Sequence, residues 1–401
     1  MSRYLSTLCF VTCFVFSIFP HLAVADFTSL TIKLNSSAGG DQINPSMASL
    51  PDDKFVVIWS DRAGNDGDRG GIFGRIYTSG FEPLSPEFLV NTLTSDWQSK
   101  SNVASAVNGN FMAVWHQSNG YVEGQVFDAS GTKLGPQFTV HTGFNGNSDV
   151  AADSNGDFWV VSTVNNGKGY VSKFSNVGEL LVGPEVFHET ELPPSDPVVT
   201  GLADGQMLVS WYDGGNTSGS DVYGQLINSD GARVGGEFLL NTVAAENQIK
   251  PAIAGLQSGG FVAVWQSFLQ DDSLYGIYAR IFDATGVAGE EFKVNADTLG
   301  NQTQPYALAK SEGGFIIGWT NLEVKSVYMQ SYAPDGTAED TNQVVSQDGN
   351  ITVNDSKNME LTELTSGLFI AAWDAWKGSF DIFARSFELV IPDIDLDTDG
   401  D

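Results

Sequence analysis

Six segments of this chain follow one pattern, an apolar run that opens on Phe or Met and ends four residues later on Trp: Phe55–Trp59, Phe111–Trp115, Met207–Trp211, Phe261–Trp265, Phe315–Trp319 and Phe369–Trp373. A seventh copy, Phe158–Ser162, lacks the Trp. The first residues of successive copies lie 56, 47, 49, 54, 54 and 54 apart. That period is one small supersecondary unit, and a unit that cannot bury its own apolar face must stack on its neighbours. The chain of 401 residues therefore reads as one array, although length alone suggests two or three domains.

Residues 237 to 286 show the unit most clearly. Glu237-Phe-Leu-Leu-Asn-Thr242, Ala252-Ile-Ala-Gly-Leu256, Phe261-Val-Ala-Val-Trp265 and Tyr275 to Phe282 read as strands, separated by the turn signals Ser258-Gly259-Gly260 and Asp283-Ala-Thr-Gly286. The segment before each Trp strand is rich in small residues, as in Pro45-Ser-Met-Ala-Ser-Leu50 and Val103-Ala-Ser-Ala106, which suits strands crowded about a common axis. Radial repetition of four-stranded antiparallel sheets is the β-propeller. The outer-strand motif Glu87-Phe-Leu-Val-Asn-Thr92 returns at Gln137, Glu185, Glu237, Glu291 and Asn342, but the last unit ends without one. Leu30-Thr-Ile-Lys-Leu-Asn35, ahead of the first unit, matches it. The expected fold is an all-β, seven-bladed propeller over residues 26–390, closed by its N-terminal strand so that no sheet edge is left open.

Residues 1–25 read as a secretory signal, with Arg3, an apolar run from Leu8 to Phe19, and Ala23-Val-Ala25 before a cleavage point near Ala25. The expected product is secreted, periplasmic or on the cell surface, with no transmembrane segment. Both cysteines, Cys9 and Cys13, fall inside the signal, which removes thiol chemistry and disulfides from the mature chain. A formal charge of −30 repels nucleic acid and anionic membranes, and leaves a polyanion only a local basic pocket to bind.

In such a meander the loops joining strands one to two and three to four share one face, and those joining two to three and four to the next blade share the other. The second set is longer and more varied, so that variable face is where binding belongs. His116 follows Trp115 and opens a two-to-three loop; His141 stands where other copies carry Asn91, Asn241 and Asn295; Tyr212 is the equivalent of His116 in blade four; Arg62 and Lys100 lie on the same side. A His or Tyr beside a cation that neutralises a carboxylate is what β-elimination from a uronic acid needs, which makes His116, His141, Tyr212 and Arg62 the catalytic candidates. His188 reads as structural. The stretch Asp61 to Asp68 reads as a polar loop, and no Gly-x-Ser-x-Gly, His-Glu-x-x-His or phosphate-loop motif occurs.

The tail, residues 391–401, ends Asp395-Leu-Asp397-Thr-Asp399-Gly-Asp401, with Asp395, Asp397 and Asp399 at alternate positions and Gly400 at the turn of a calcium loop. Calcium is the cofactor this register expects.

The lines Gly236-Glu-Phe-Leu-Leu-Asn-Thr242, Gly259-Gly-Phe-Val-Ala-Val-Trp265 and Val222-Tyr-Gly-Gln225 resemble the Trp-containing propeller-type repeats of large secreted and surface proteins of Gram-negative bacteria. The tail resembles the opening of a thrombospondin type 3-like calcium repeat. These resemblances imply calcium-associated adhesion, or binding of a polysaccharide, surface glycan or protein ligand, without a defined reaction. The architecture is also similar to that of seven-bladed polysaccharide lyases, which implies as the alternative a lyase acting on uronate polymers, or a glycoside hydrolase. The Ser-x-Asp-x-Gly-x-Thr-Trp box of sialidase propellers is absent.

Overall fold

The computed structural model describes residues 24–36, 39–164, 167–190, 194–213, 219–347 and 354–390. The expected signal, apart from Val24 and Ala25, and the acidic tail with Asp395, Asp397 and Asp399 lie outside them. The described chain is a seven-bladed β-propeller of antiparallel blades. Blade one runs from the axis outward through Gln42–Leu50, Lys54–Asp61, Gly71–Thr78 and Phe88–Leu89. Blade seven, Asn354–Glu363, Phe369–Trp376 and Phe380–Val390, takes its outer strand from the N-terminus: Val24–Phe27 and Ile32–Lys33 both pair with Phe380–Val390. The sequence motif foresaw the second of these segments and not the first.

Each second strand is buried on both faces because alternate residues face alternate neighbours. Phe111, Ala113 and Trp115 pack with Val56 and Ile58 of blade one, while Met112 and Val114 pack with Phe158 and Val160 of blade three. The Trp thus always faces the preceding blade. Blade three breaks the pattern, since its indole is Trp159, one residue after the Phe and on the opposite face, against Trp211 and Val209 of blade four. Every blade still contributes one buried Trp.

The outer-strand motif has a physical reading. Its Asn accepts a backbone N–H from the third strand of its own blade: Asn91 from Ile72 at 2.8 Å, Asn241 from Val222 at 2.8 Å, Asn295 from Ile277 at 2.7 Å. Asn35 does the same for Ile382 at 2.8 Å, so the N-terminal segment performs for blade seven what an outer strand does elsewhere. The first residue of the motif reaches back one blade, Gln137 to the Thr92 N–H at 2.7 Å and Glu291 to the Thr242 N–H at 2.7 Å. In blades one, five and six the outer strand is only two residues long, so these side-chain bonds carry much of its attachment.

Close approach of the inner strands explains their small residues. A Cβ on Gly255 would lie 2.1 Å from the Gly201 carbonyl oxygen of the neighbouring blade, a clash with backbone that no rotamer change relieves.

Candidate functional site

The seven inner strands enclose an axial channel of about 710 Å³. Every inner strand carries a register irregularity near its start, between Ile43 and Ser46 in blade one, Ser99 and Asn102 in blade two, and Ile249 and Ala252 in blade five, for example. Such bulges re-aim a side chain at the rim of a closed β structure. Here they place Asn44, Lys100, Asp196, Lys250, Gln304 and Asn358 at equivalent positions lining the channel. All six have left-handed backbones, with φ of 54°, 53°, 45°, 57°, 54° and 52° respectively. In blade three the register puts Asn147 at the equivalent place in the channel lining, without a left-handed backbone. Non-glycine residues held at positive φ cost of order 1 kcal/mol each and persist where surrounding structure over-determines them.

For three of the six the over-determination comes from the residue after a Trp, and for Asn358 it comes from Gln304, which accepts its N–H at 3.3 Å. Ser60, Gln266 and Asp374 accept the backbone N–H of the left-handed residue in the next blade, Lys100 at 3.1 Å, Gln304 at 3.2 Å and Asn44 at 2.8 Å. The side chains then link round the rim. Lys100 Nζ donates to the Gly146 carbonyl at 3.3 Å, Asn147 to Asp196, and Gln304 to Asn358; Lys250 pairs with Asp196 at 2.6 Å. The result is a belt at the mouth on the variable face, with the charges Lys100, Asp196 and Lys250 on one side and the amides Gln304, Asn358 and Asn44 on the other. Buried Gln residues pin the loops that lead into it: Gln42, Gln98, Gln248 and Gln302 donate to the carbonyls of Gly39, Ser95, Ala245 and Leu299 at 3.2, 2.7, 2.9 and 3.0 Å.

Below the rim the channel turns acidic. Asp149 accepts the Val199 N–H at 2.9 Å, and burial pushes its carboxyl up to about 6. Burial also holds Glu360 well above the usual carboxylate range, with the Asp149 charge adding to it. Tyr306 feels both carboxylates and is raised as well, mainly by burial.

Two of the sequence candidates, His116 and Tyr212, fall one strand further out. His116 lies inside the strand Phe111–Gln117, paired with Ser99 next to Lys100, and is 7% exposed. Burial, helped by the Lys100 charge, pushes its imidazole down to about 3, so it is neutral at physiological pH. It occupies the position of Ser60, Gln266 and Asp374, the interblade acceptors. Tyr212 sits opposite Ser195 and beside Asp196; burial and then the Asp196 charge raise its phenol to about 12.

His141 belongs to the outer strand Lys133–Thr142 and is 5% exposed. Both ring nitrogens are engaged, one with Ser162 Oγ and the other with Ser172 Oγ at 2.9 Å, and burial lowers its pKa to about 4. Ser162 holds the place of the missing Trp in blade three, so imidazole and hydroxyl meet where an indole packs in other blades. His188 is held by Glu237 and Thr190, each at 3.0 Å, beside Trp211.

Arg62 is exposed at the start of the blade-one loop, apart from these residues. In that loop Asp61 is occupied by hydrogen bonds from Gln42, Ala63 and Asn65 at 2.9, 2.9 and 2.8 Å. Among the described residues no group of three or more His, Cys, Asp or Glu is disposed to hold a metal. Nor is any helix there long and apolar enough to cross a membrane.

The raised carboxyls make stability depend on pH. Asp149 and Asp374 are pushed up to about 6 and Asp340 to about 7, in each case chiefly by burial. The folded state retains these protons after the unfolded chain has released them, so stability is full below about pH 4 for these groups and is lost as pH rises toward about 7. The melting temperature should accordingly be higher at roughly pH 5 than at roughly pH 8, and Asp374→Asn should flatten the difference. A melting temperature that rises over that interval would contradict the assignment.

No protein-family model matches the sequence, and no curated protein matches it. Among solved structures the chain is similar to a protein of unknown function from Dyadobacter fermentans, at 9% identity and a TM-score of 0.59, over 93% of this chain and 100% of that one. It is similar to a fungal alcohol oxidase in complex with copper, at 12% and 0.56, over 90% and 76%. It is also similar to polysaccharide lyase Uly1, at 11% and 0.52, over 89% and 92%. At these identities the likeness carries the fold alone: the chain is a seven-bladed propeller whose structural neighbours include carbohydrate-active enzymes and proteins of unknown function.

Proposed function

We propose that this protein is a secreted, non-enzymatic binding or adhesion module that seats a glycan over the axial mouth of its variable face. The observation that supports this reading is the rim. Six side chains rich in hydrogen-bonding groups are held at left-handed backbone positions in equivalent places, and strain of that kind clusters at functional sites. Amides and charged groups of both signs suit sugar hydroxyls, which donate and accept at once. Protein ligands are the other partner class for the same face. Calcium belongs in this reading to the Asp395, Asp397 and Asp399 register of the tail.

The test is calorimetric titration against a panel of oligosaccharides. Lys100→Ala and Lys250→Ala should each weaken the best ligand by about tenfold, the worth of a hydrogen bond to a charged group. Binding untouched by both changes would move the site off the rim, and no binding across the panel would reject a glycan ligand.

A second reading, a polysaccharide lyase or hydrolase, draws on the rim's electrostatics. Neutral His116 lies close enough to feel Lys100, and Tyr212 lies beside Asp196, so a base, a cation and an acid share one arc of the rim. Asp149 and Glu360 would be the carboxylates of the hydrolytic version. It ranks second because an acid or base must reach the sugar, and His116 and His141 are buried within strands. Unsaturated uronate, detected by its ultraviolet absorbance after incubation with acidic polysaccharides, would reverse the ranking.

A further inference from the structure

Seven of the nine Trp residues fill the core, one per blade, whereas Trp376 is 44% exposed on the variable face. It ends the second strand of blade seven, opposite Phe380 in the sheet register. Lys357 Nζ lies 4.2 Å from the centre of the Phe380 ring, and its nearest carboxylate, Asp355, is a loose partner at 3.7 Å. The carbonyl of Lys325 accepts the Ser356 N–H at 3.0 Å, which brings a second lysine beside Lys357. Lys377 follows Trp376 directly and is exposed.

Blade one closes the cluster. The Phe380 N–H donates to Asp41 Oδ1 at 3.0 Å, and the Asp41 carbonyl accepts the Arg62 N–H at 2.8 Å. Lys357 and Lys377 thus flank the Trp376–Phe380 pair, with the Arg62 backbone brought close across the seam from blade one and the Lys325 backbone from blade six. The whole chain has only 19 basic residues against 49 acidic ones, so four basic residues beside the two contacting carboxylates, Asp41 and Asp355, are a local departure from its balance.

We infer that this seam is a subsite for an anionic pyranose, which stacks its C–H face on Trp376 and places its carboxylate or sulfate among Arg62, Lys357 and Lys377. The inference rests on the glycan-binding reading and adds the ligand's charge and a second contact point outside the axial mouth. An indole face offers apolar area at little entropic cost, and a cation beside it supplies the charged contact a neutral sugar cannot use. Because the cations are near the surface, the charged contribution should weaken as ionic strength rises.

The experiment titrates the full chain with oligogalacturonate, a sulfated galactan oligomer and a neutral galactan oligomer. Both anionic probes, or one of them, should bind more tightly than the neutral one, and the difference between the two arms identifies the acidic group. Trp376→Ala should weaken the anionic probe by about tenfold, with Trp376→Phe retaining most of the affinity. Arg62→Gln combined with Lys377→Gln should erase the preference over the neutral oligomer. These side chains are exposed, so the variants should melt as the parent does. Anionic probes that bind no tighter than neutral ones overturn the subsite. So does a Trp376→Ala variant with parental affinity while Lys100→Ala and Lys250→Ala lose theirs, a result that leaves the rim reading standing. If none of the three probes binds, the subsite falls together with the glycan reading.

Discussion

Replacing Trp265 with alanine should cost the propeller about 3–5 kcal/mol, the range for deleting a large buried aromatic side chain. The indole is fully buried between blades four and five, in contact with the cluster that holds Leu208, Val222, Leu240 and Ile253. Its N–H has no hydrogen-bond partner among the described residues, so the loss is one of packing and cavity formation rather than of a polar contact. Trp265→Phe should therefore recover most of the stability. Trp159 differs, because its N–H donates to Asp153 at 3.0 Å and Lys173 bridges Asp153 and Asp157 at 3.1 and 3.0 Å. Urea denaturation checks both: a Trp265→Ala midpoint equal to the parent's would mean that the blade interface repacks without penalty.

Asn35→Ala should cost about 2–4 kcal/mol, since a buried group left without its partner loses about 1–3 kcal/mol. The side chain accepts the Ile382 N–H at 2.8 Å and donates to Gln42 at 3.0 Å and to Asp381 at 2.9 Å, tying the N-terminal segment to blades one and seven together. Asn241→Ala removes the matching bonds in blade four, where chain continuity still holds the outer strand. The expected contrast is kinetic as well as energetic. Limited proteolysis should cut Asn35→Ala faster near residues 24–36, with no such change in Asn241→Ala. Equal resistance of the two variants would show that closure does not depend on Asn35.

The period and the phase of the Trp residues were enough to reach the blade count, because burial on both faces of a second strand leaves an uninterrupted apolar run in the sequence. The closure was legible for a similar reason: Leu30 to Asn35 repeats a motif whose Asn and leading acidic or amide residue each make a definite bond. His116 and His141 read as loop residues because the Trp and the Asn look like strand ends. The second strand of blade two continues to Gln117 and its outer strand to Thr142, which draws both imidazoles inside.

The rim was not legible, since its distinguishing property is a backbone angle and its side chains share no type. The sequence does carry a trace. Gln42-Ile-Asn-Pro45, Gln248-Ile-Lys-Pro251 and Gln302-Thr-Gln-Pro305 repeat a Gln and a Pro around one variable polar residue. That residue is the left-handed one. Trp376 could have been singled out as the Trp that follows Trp373 at a spacing the repeat does not use.

The six left-handed positions bear on how such a surface changes over time. Asn, Lys, Asp and Gln all occupy them, so the backbone tolerates any of these side chains while fixing where each one begins. The bonds that set the backbone of Asn44, Lys100 and Gln304 come from side chains behind the rim in the preceding blade, whereas Asn358 is held by its rim neighbour Gln304. Away from the Gln304–Asn358 pair the mouth can therefore be rewritten one residue at a time without disturbing the packing beneath it. In a ring of equivalent sites, ligand preference becomes a matter of the order in which side chains follow one another around the axis.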